Sequence, residues 1–285
     1  MPFTPSHAVV ALPFLRTPLI PAAIAIGAMT PDLPLFVRAL PLHYGWTHSL
    51  SWLPLTIVLA LALLVVWRAL LRPAVRELSP TWLARRLLAQ WDGGARAALH
   101  ETFAGGRAGT SWPGVLLLVA SLAIGTLSHI AWDLFTHEGR WGVELLPMLG
   151  EEWGALPGYR WLQHVSSVAG LVILGVWAVR RLRRRPNDRA PSRVLPDAVR
   201  WAWWLSLPVL LLAAWLVGGA IFGPLTAEWT IAHLAYRVLP PACAIWGLVT
   251  VALAVAVQLL RRHPAHRSGD PQLPSDGTSR RTRIE

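Results

Sequence analysis

Five short polar segments interrupt a chain that is otherwise rich in apolar residues. They are Ser6-His7, Thr30-Pro31-Asp32, Thr47-His48-Ser49, Ser128-His129 with Asp133 and His137, and Gln163-His164. Imidazole and carboxylate together suit a divalent cation of the zinc type. In GTLSHIAWDLFTHEG, Asp133 lies four residues after His129 and His137 four beyond that. On a helix this spacing sets all three on one face. Such a face can share an ion or form a structural hydrogen-bonded pair. His7, Asp32 and His48 are expected at the same depth, and they favour the ion. Each group would be costly unpaired in apolar surroundings, and one cation offsets several of them together. The expected ligands are therefore His7, Asp32, His48, His129, Asp133 and His137, around a divalent cation, with zinc the expected metal. Asp32 and Asp133 are read as ion bridges or general base, and His137 as the acid that protonates a leaving oxygen. His164 is open between a second metal site and an interfacial histidine.

The elements that must position these groups are membrane helices. Of the 285 residues, 54% are hydrophobic and 14% charged, and the mean hydropathy is +0.45. A soluble domain needs more surface charge than this. Runs at 50–71, 115–135, 165–179, 205–222 and 239–260 carry few or no charges in their interiors, and each is near the roughly 20 residues of a spanning helix. The fold class predicted is all-α, a polytopic integral membrane bundle of five spans. A soluble enzyme is excluded, and the sequence has no nucleotide-binding or hydrolase-triad motif.

Thr4-Pro5-Ser6 reads as a helix start, running to about Phe14. A second short helix from Pro21 to about Thr30 ends at Pro31-Asp32-Leu33-Pro34. Neither can span alone, so 1–40 is predicted to be a re-entrant hairpin that brings His7 and Asp32 to one level. The N-terminus lacks a basic n-region, and no cleaved signal peptide is expected.

The net charge of +11 comes from 26 basic residues, all arginine. Most stand in blocks at the ends of apolar runs, so they are topology signals and no nucleic-acid partner is expected. The positive-inside rule puts 72–112, 180–200 and the tail in the cytoplasm, with the five polar segments toward the outer face. The loop 72–112 is expected to contain an amphipathic helix near 81–100, and the polar tail 263–285 is expected to be disordered. Partners are membrane lipids, including anionic headgroups near the arginines. Cys243 is the single cysteine, so no intramolecular disulfide forms.

MPFTPSHAVVALPF, IGAMTPDLPLF, THSL and LSHIAWDLFTHEG occur in that order. They resemble the bacterial membrane family catalogued as domain of unknown function 4184, across most of the chain apart from the tail. The same order is similar to the YdjM-like inner-membrane proteins, described as metal-dependent hydrolases. More distantly it is similar to zinc-dependent phospholipase C. That resemblance implies His7, Asp32, His48, His129 and Asp133 as ligands, with His137 contributing to another ion. The chain departs from the soluble family in having no downstream His-x-x-x-Glu, since Val165-Ser166-Ser167-Val168 follow His164. This implies one or two ions in place of three. The resemblance further implies a bacterial plasma-membrane location.

The function expected is a membrane-embedded metal-dependent hydrolase acting on a phosphoester or lipid-linked substrate at the outer face. The alternative is a non-catalytic membrane protein with a structural His/Asp cluster. A metal or proton transporter is disfavoured, because its polar groups would sit near mid-membrane.

Overall fold

The computed structural model describes residues 3–37, 41–104, 111–186, 191 and 193–262. Among these the chain is helical, and its one β feature is an isolated bridge between Glu152 and Pro157. The expected disordered tail lies outside the described residues. Labels here are α1 (Pro21–Met29), α2 (Leu50–Leu78), α3 (Gly94–Ala104), α4 (Trp112–Thr136), α5 (Gly158–Arg183), α6 (Asp197–Phe222) and α7 (Ile231–Arg262). Among the described residues α2, α4, α5, α6 and α7 are long and apolar enough to cross a membrane. Their outward faces are apolar too. On α6 only Gly218 is buried, and Leu205, Val209, Leu212 and Leu216 stand exposed in a row. In water that row would be untenable; in lipid it is the expected lining.

The N-terminal hairpin forms as the sequence suggests, with one refinement. Its first arm, Thr4–Phe14, is a 3-10 helix. Pro13 lies inside it, and in an α-helix its ring would press on the carbonyl four residues back. At about 2.0 Å rise per residue the 3-10 form also reaches farther than an α-helix of equal length. This arm runs parallel to α5, with Phe3 N–H donating to Ser167 Oγ at 3.0 Å and the Ser6 backbone against Gly170.

The second arm, α1, runs parallel to α4 at backbone contact. Ile20 N–H donates to Ser121 Oγ at 2.9 Å, and Thr126 Oγ1 donates to Gly27 O at 3.3 Å. A Cβ at Gly125 would overlap Ile24 O and lie 2.8 Å from Ala28 N. Only glycine permits this approach, the small-residue packing that membrane helices use in place of hydrophobic drive. Below it Ala23, Ala60, Leu64, Leu118 and Leu122 form a buried cluster that ties α1, α2 and α4 together.

A buried ionic network holds the opposite end. One turn of π-helix, Trp67–Leu71, interrupts α2. Pro73 has no N–H to offer Ala69 O, and Gln258 of α7 donates to that carbonyl at 3.2 Å. Arg72 makes a two-pronged pair with Glu101 of α3, at 3.0 and 2.6 Å, and Arg68 donates to Thr102. Glu77 is fully buried. It accepts from the N–H groups of Val194 and Leu195 and from Arg261 at 3.1 Å. Asp92 accepts from Arg261 and from Arg76. Where one amphipathic helix was expected over 81–100, the chain instead forms Thr81–Ala84 and then α3. The interruption runs from Arg85 to Gly93, with a 3-10 turn over Ala89–Asp92, and helix resumes at Gly94, which takes φ +70°, a backbone setting that suits glycine.

Candidate metal centre

His129 and Asp133 project from the last turns of α4, His129 about 10 Å below its end at Thr136, taking 1.5 Å per residue. Asp32 comes from the 3-10 turn Thr30–Asp32 that ends the hairpin, and His7 from the hairpin's first arm. His48 caps the short helix Tyr44–Thr47. Thr47, wholly buried, docks that helix by donating to Pro31 O at 2.7 Å. Ser49 caps the next turn, accepting from Ser51 N–H.

The tautomers of two histidines follow from their partners. His129 Nδ1 lies 2.7 Å from Ala28 O, and His48 Nδ1 lies 3.0 Å from Tyr44 O. A carbonyl can only accept, so both Nδ1 atoms carry a proton, and in the neutral rings both Nε2 atoms present lone pairs. Those Nε2 atoms lie 3.2 Å apart. Asp133 Oδ2 is 3.4 Å from His48 Nε2 and 3.5 Å from His129 Nε2. Asp32 Oδ1 is 3.8 and 3.7 Å from the same two atoms. Two triangles of acceptors thus share the His48–His129 edge.

A tetrahedron with metal–ligand bonds of 2.0–2.2 Å has edges of about 3.3–3.6 Å, and both triangles are close to one of its faces. Asp32, His48 and His129 can place ligand atoms within 4.8 Å of one another, and so can His7, His129 and Asp133. His129 belongs to both trios. The rings of His7 and His129 pack at 4.1 Å.

Four buried atoms here have no hydrogen-bond partner: His7 Nε2, Asp32 Oδ1, Asp133 Oδ1 and His137 Nε2. Such orphans are rare in native interiors and are explained by an ion or an ordered water. The donor set of imidazole and carboxylate also suits zinc, so the residues present fit the metal.

His137 stands one step out. Its Nδ1 lies 3.7 Å from Asp133 Oδ2 and 3.2 Å from Asp133 O. Burial pushes its imidazole below the ordinary histidine range, although the Asp133 charge opposes the shift. His164 faces outward, and Gln163 and Ser167 are the buried residues of that stretch.

Four further groups complete the site. Thr4 Oγ1 donates to Asp32 Oδ2 at 2.6 Å. Tyr44 stacks on His48 at 3.8 Å and donates to Asp133 Oδ2 at 3.4 Å. Burial first, and then the Asp133 charge, push its phenol above the ordinary tyrosine range, so it stays protonated and donating. The carbonyl of Ala28 orients His129. Arg140 lines, with His48, Ile130, Asp133 and Leu134, a cleft of about 10 Å³ that opens onto the site. That volume is about enough for one water. Only the four-residue step from Tyr44 to His48 could have signalled any of these in the sequence.

The family profile described as Domain of unknown function (DUF4184) matches residues 1–260, and the chain belongs to that family. No curated protein and no solved structure matches it.

Proposed function

We propose that this member of the domain of unknown function 4184 family is a membrane-embedded metal-dependent hydrolase of phosphoesters or lipid-linked phosphates. The observation that carries the reading is the pair of Nε2 atoms of His48 and His129, 3.2 Å apart between two buried carboxylates. With both rings neutral these groups bring only lone pairs together, and a cation relieves that repulsion. Asp32, His48, His129 and Asp133 would hold it, with His7 beside His129. Zinc in such a place lowers the pKa of bound water toward about 7 and polarises a phosphoryl oxygen.

The chain's own residues supply the rest. His137 keeps its Nδ1 on Asp133 O, which leaves Nε2 bare. It rests neutral, accepts a proton there and returns it to the leaving oxygen. Asp133 accepts from Tyr44 through Oδ2 and from His137 through its backbone carbonyl, and so fixes both. Arg140, at the mouth of the cleft, offers a fork that suits a phosphate anion. The arginine blocks support an orientation with this end of the bundle at the outer face of the membrane, where headgroup phosphates lie.

The test is a screen of phospholipids, lipid-linked pyrophosphates and nitrophenyl phosphoesters with zinc-loaded protein. Asp133→Ala should abolish turnover with membrane insertion intact. His137→Ala should slow it roughly 10²–10⁴-fold while sparing more of the metal. Metal retained without turnover of any substrate, or activity surviving Asp133→Ala, sinks the catalytic reading. The narrowness of the cleft favours the second reading, a closed structural metal cluster with no open position.

A further inference from the structure

A large cavity lies at the end remote from the His/Asp site. It measures about 1090 Å³, at the upper end of ligand-pocket sizes. It opens between the hairpin tip, the stretch around Arg86–Trp91, and the last turns of α5. Its wall on α5 is built from two rows at four-residue spacing. One runs Val172, Val176, Arg180, Arg184, and the other Ile173, Trp177, Arg181, Arg185. In each row the first two members are apolar and the last two cationic. The cleft is therefore apolar toward the membrane interior and cationic at its mouth, where Arg16 and Arg86 join from the other two walls.

Among the described residues no acidic side chain lines it, and none of these six arginines makes an ion pair with a carboxylate. The arginines of the ionic network on α2 and α7 do pair, so this group stands apart from them. Burial, and then the neighbouring Arg181, hold the Arg185 guanidinium below its ordinary value, and an anion in the cleft would relieve that repulsion.

We propose that this cleft binds one anionic phospholipid, with its phosphate among Arg16, Arg181 and Arg185 and its acyl chains along Val172, Val176 and Trp177. Guanidinium forks match phosphate oxygens, and basic pockets between spanning helices take anionic headgroups. An apolar floor of this size excludes an inorganic anion as the natural occupant, because the floor would stay uncovered. The site is distinct from the His/Asp centre and does not depend on its metal.

The test uses the full-length protein reconstituted in phosphatidylcholine vesicles with and without phosphatidylglycerol, then re-extracted, with retained lipid counted by native mass spectrometry. Wild type should retain phosphatidylglycerol in preference to phosphatidylcholine. Arg181→Gln with Arg185→Gln should lose roughly tenfold or more in that retention, at about 1 kcal/mol per arginine near an anionic headgroup. Arg96→Gln with Arg183→Gln removes equal charge at the same end but outside the cleft, and should retain the lipid. Val176→Trp keeps every charge, fills the floor, and should also lose it. Equal loss in both arginine pairs, full retention by Val176→Trp, or binding of soluble glycerol phosphate as tight as that of the intact lipid would each overturn the proposal.

Discussion

His48 and His129 meet Nε2 to Nε2 at 3.2 Å, each with its other ring nitrogen committed to a backbone carbonyl. The relationship joins two ends of the fold. His129 is aligned by the carbonyl of Ala28, and Ala28 holds its place only because α1 lies against Gly125 of α4. The geometry of the centre is therefore set by a glycine contact more than one helical turn away.

Replacing Gly125 by Ala should accordingly act on both stability and the site. The new methyl overlaps Ile24 O, and backbone on each side leaves no flexible side chain to yield. Overpacking of this kind costs about 1–3 kcal/mol. Thermal unfolding in detergent should show that loss, together with weaker zinc binding. Unchanged unfolding would mean that α1 and α4 lie farther apart than described.

Glu77 is the keystone of the opposite end, accepting from two backbone N–H groups and from Arg261. Glu77→Ala strands those donors in a buried setting, and removing one partner of a buried pair costs about 3–5 kcal/mol. The expected readout is a large drop in the unfolding midpoint with zinc binding at the far end retained in the folded fraction.

The Arg72–Glu101 pair makes a pH-dependent contribution of defined sign. Burial alone would raise the Glu101 carboxyl, but the Arg72 hydrogen bonds and the Arg68 charge hold it below its ordinary value. Its stabilisation is therefore complete above the unfolded glutamate value of about 4.3 and is lost as pH falls through the folded one. The effect is small, since the carboxylate is 39% exposed and solvent screens it. Unfolding followed against pH should show this acid loss in wild type, and Glu101→Gln should flatten it.

The arginine blocks predict orientation. Reporter fusions after Gln90, Ala190 and Asp270 should read cytoplasmic, and one after Gly150 should read external. A cytoplasmic signal at Gly150 would move the His/Asp centre to the inner face and remove the argument for an outer-leaflet substrate.

Apolar runs and proline punctuation made the five spans and the hairpin legible, because in lipid a spanning segment must be both long and uncharged. Ligand types and the four-residue steps of α4 made His129, Asp133 and His137 legible as one face. The pairing of Asp32 with Thr4, and of Asp133 with Tyr44, was not, because each depends on how the hairpin docks. That docking follows from Gly27 and Gly125, whose meaning appears only once two backbones are seen in contact. The interruption of 81–100 between Ala84 and Gly94 was not legible in the sequence. Which side His164 takes depends on the rotation of α5, which turns it outward and Gln163 inward.

The central claim is that His48, His129, Asp32 and Asp133 surround a divalent cation, and zinc titration of chelator-treated protein by calorimetry tests it most directly. Wild type should take up roughly one or two ions per chain, with proton release if any ligand is protonated beforehand. His129→Ala, which removes the ligand common to both trios, should abolish the binding while circular dichroism reports an unchanged helical content. No heat of binding in wild type, or an isotherm for His129→Ala that overlays it, would contradict the account.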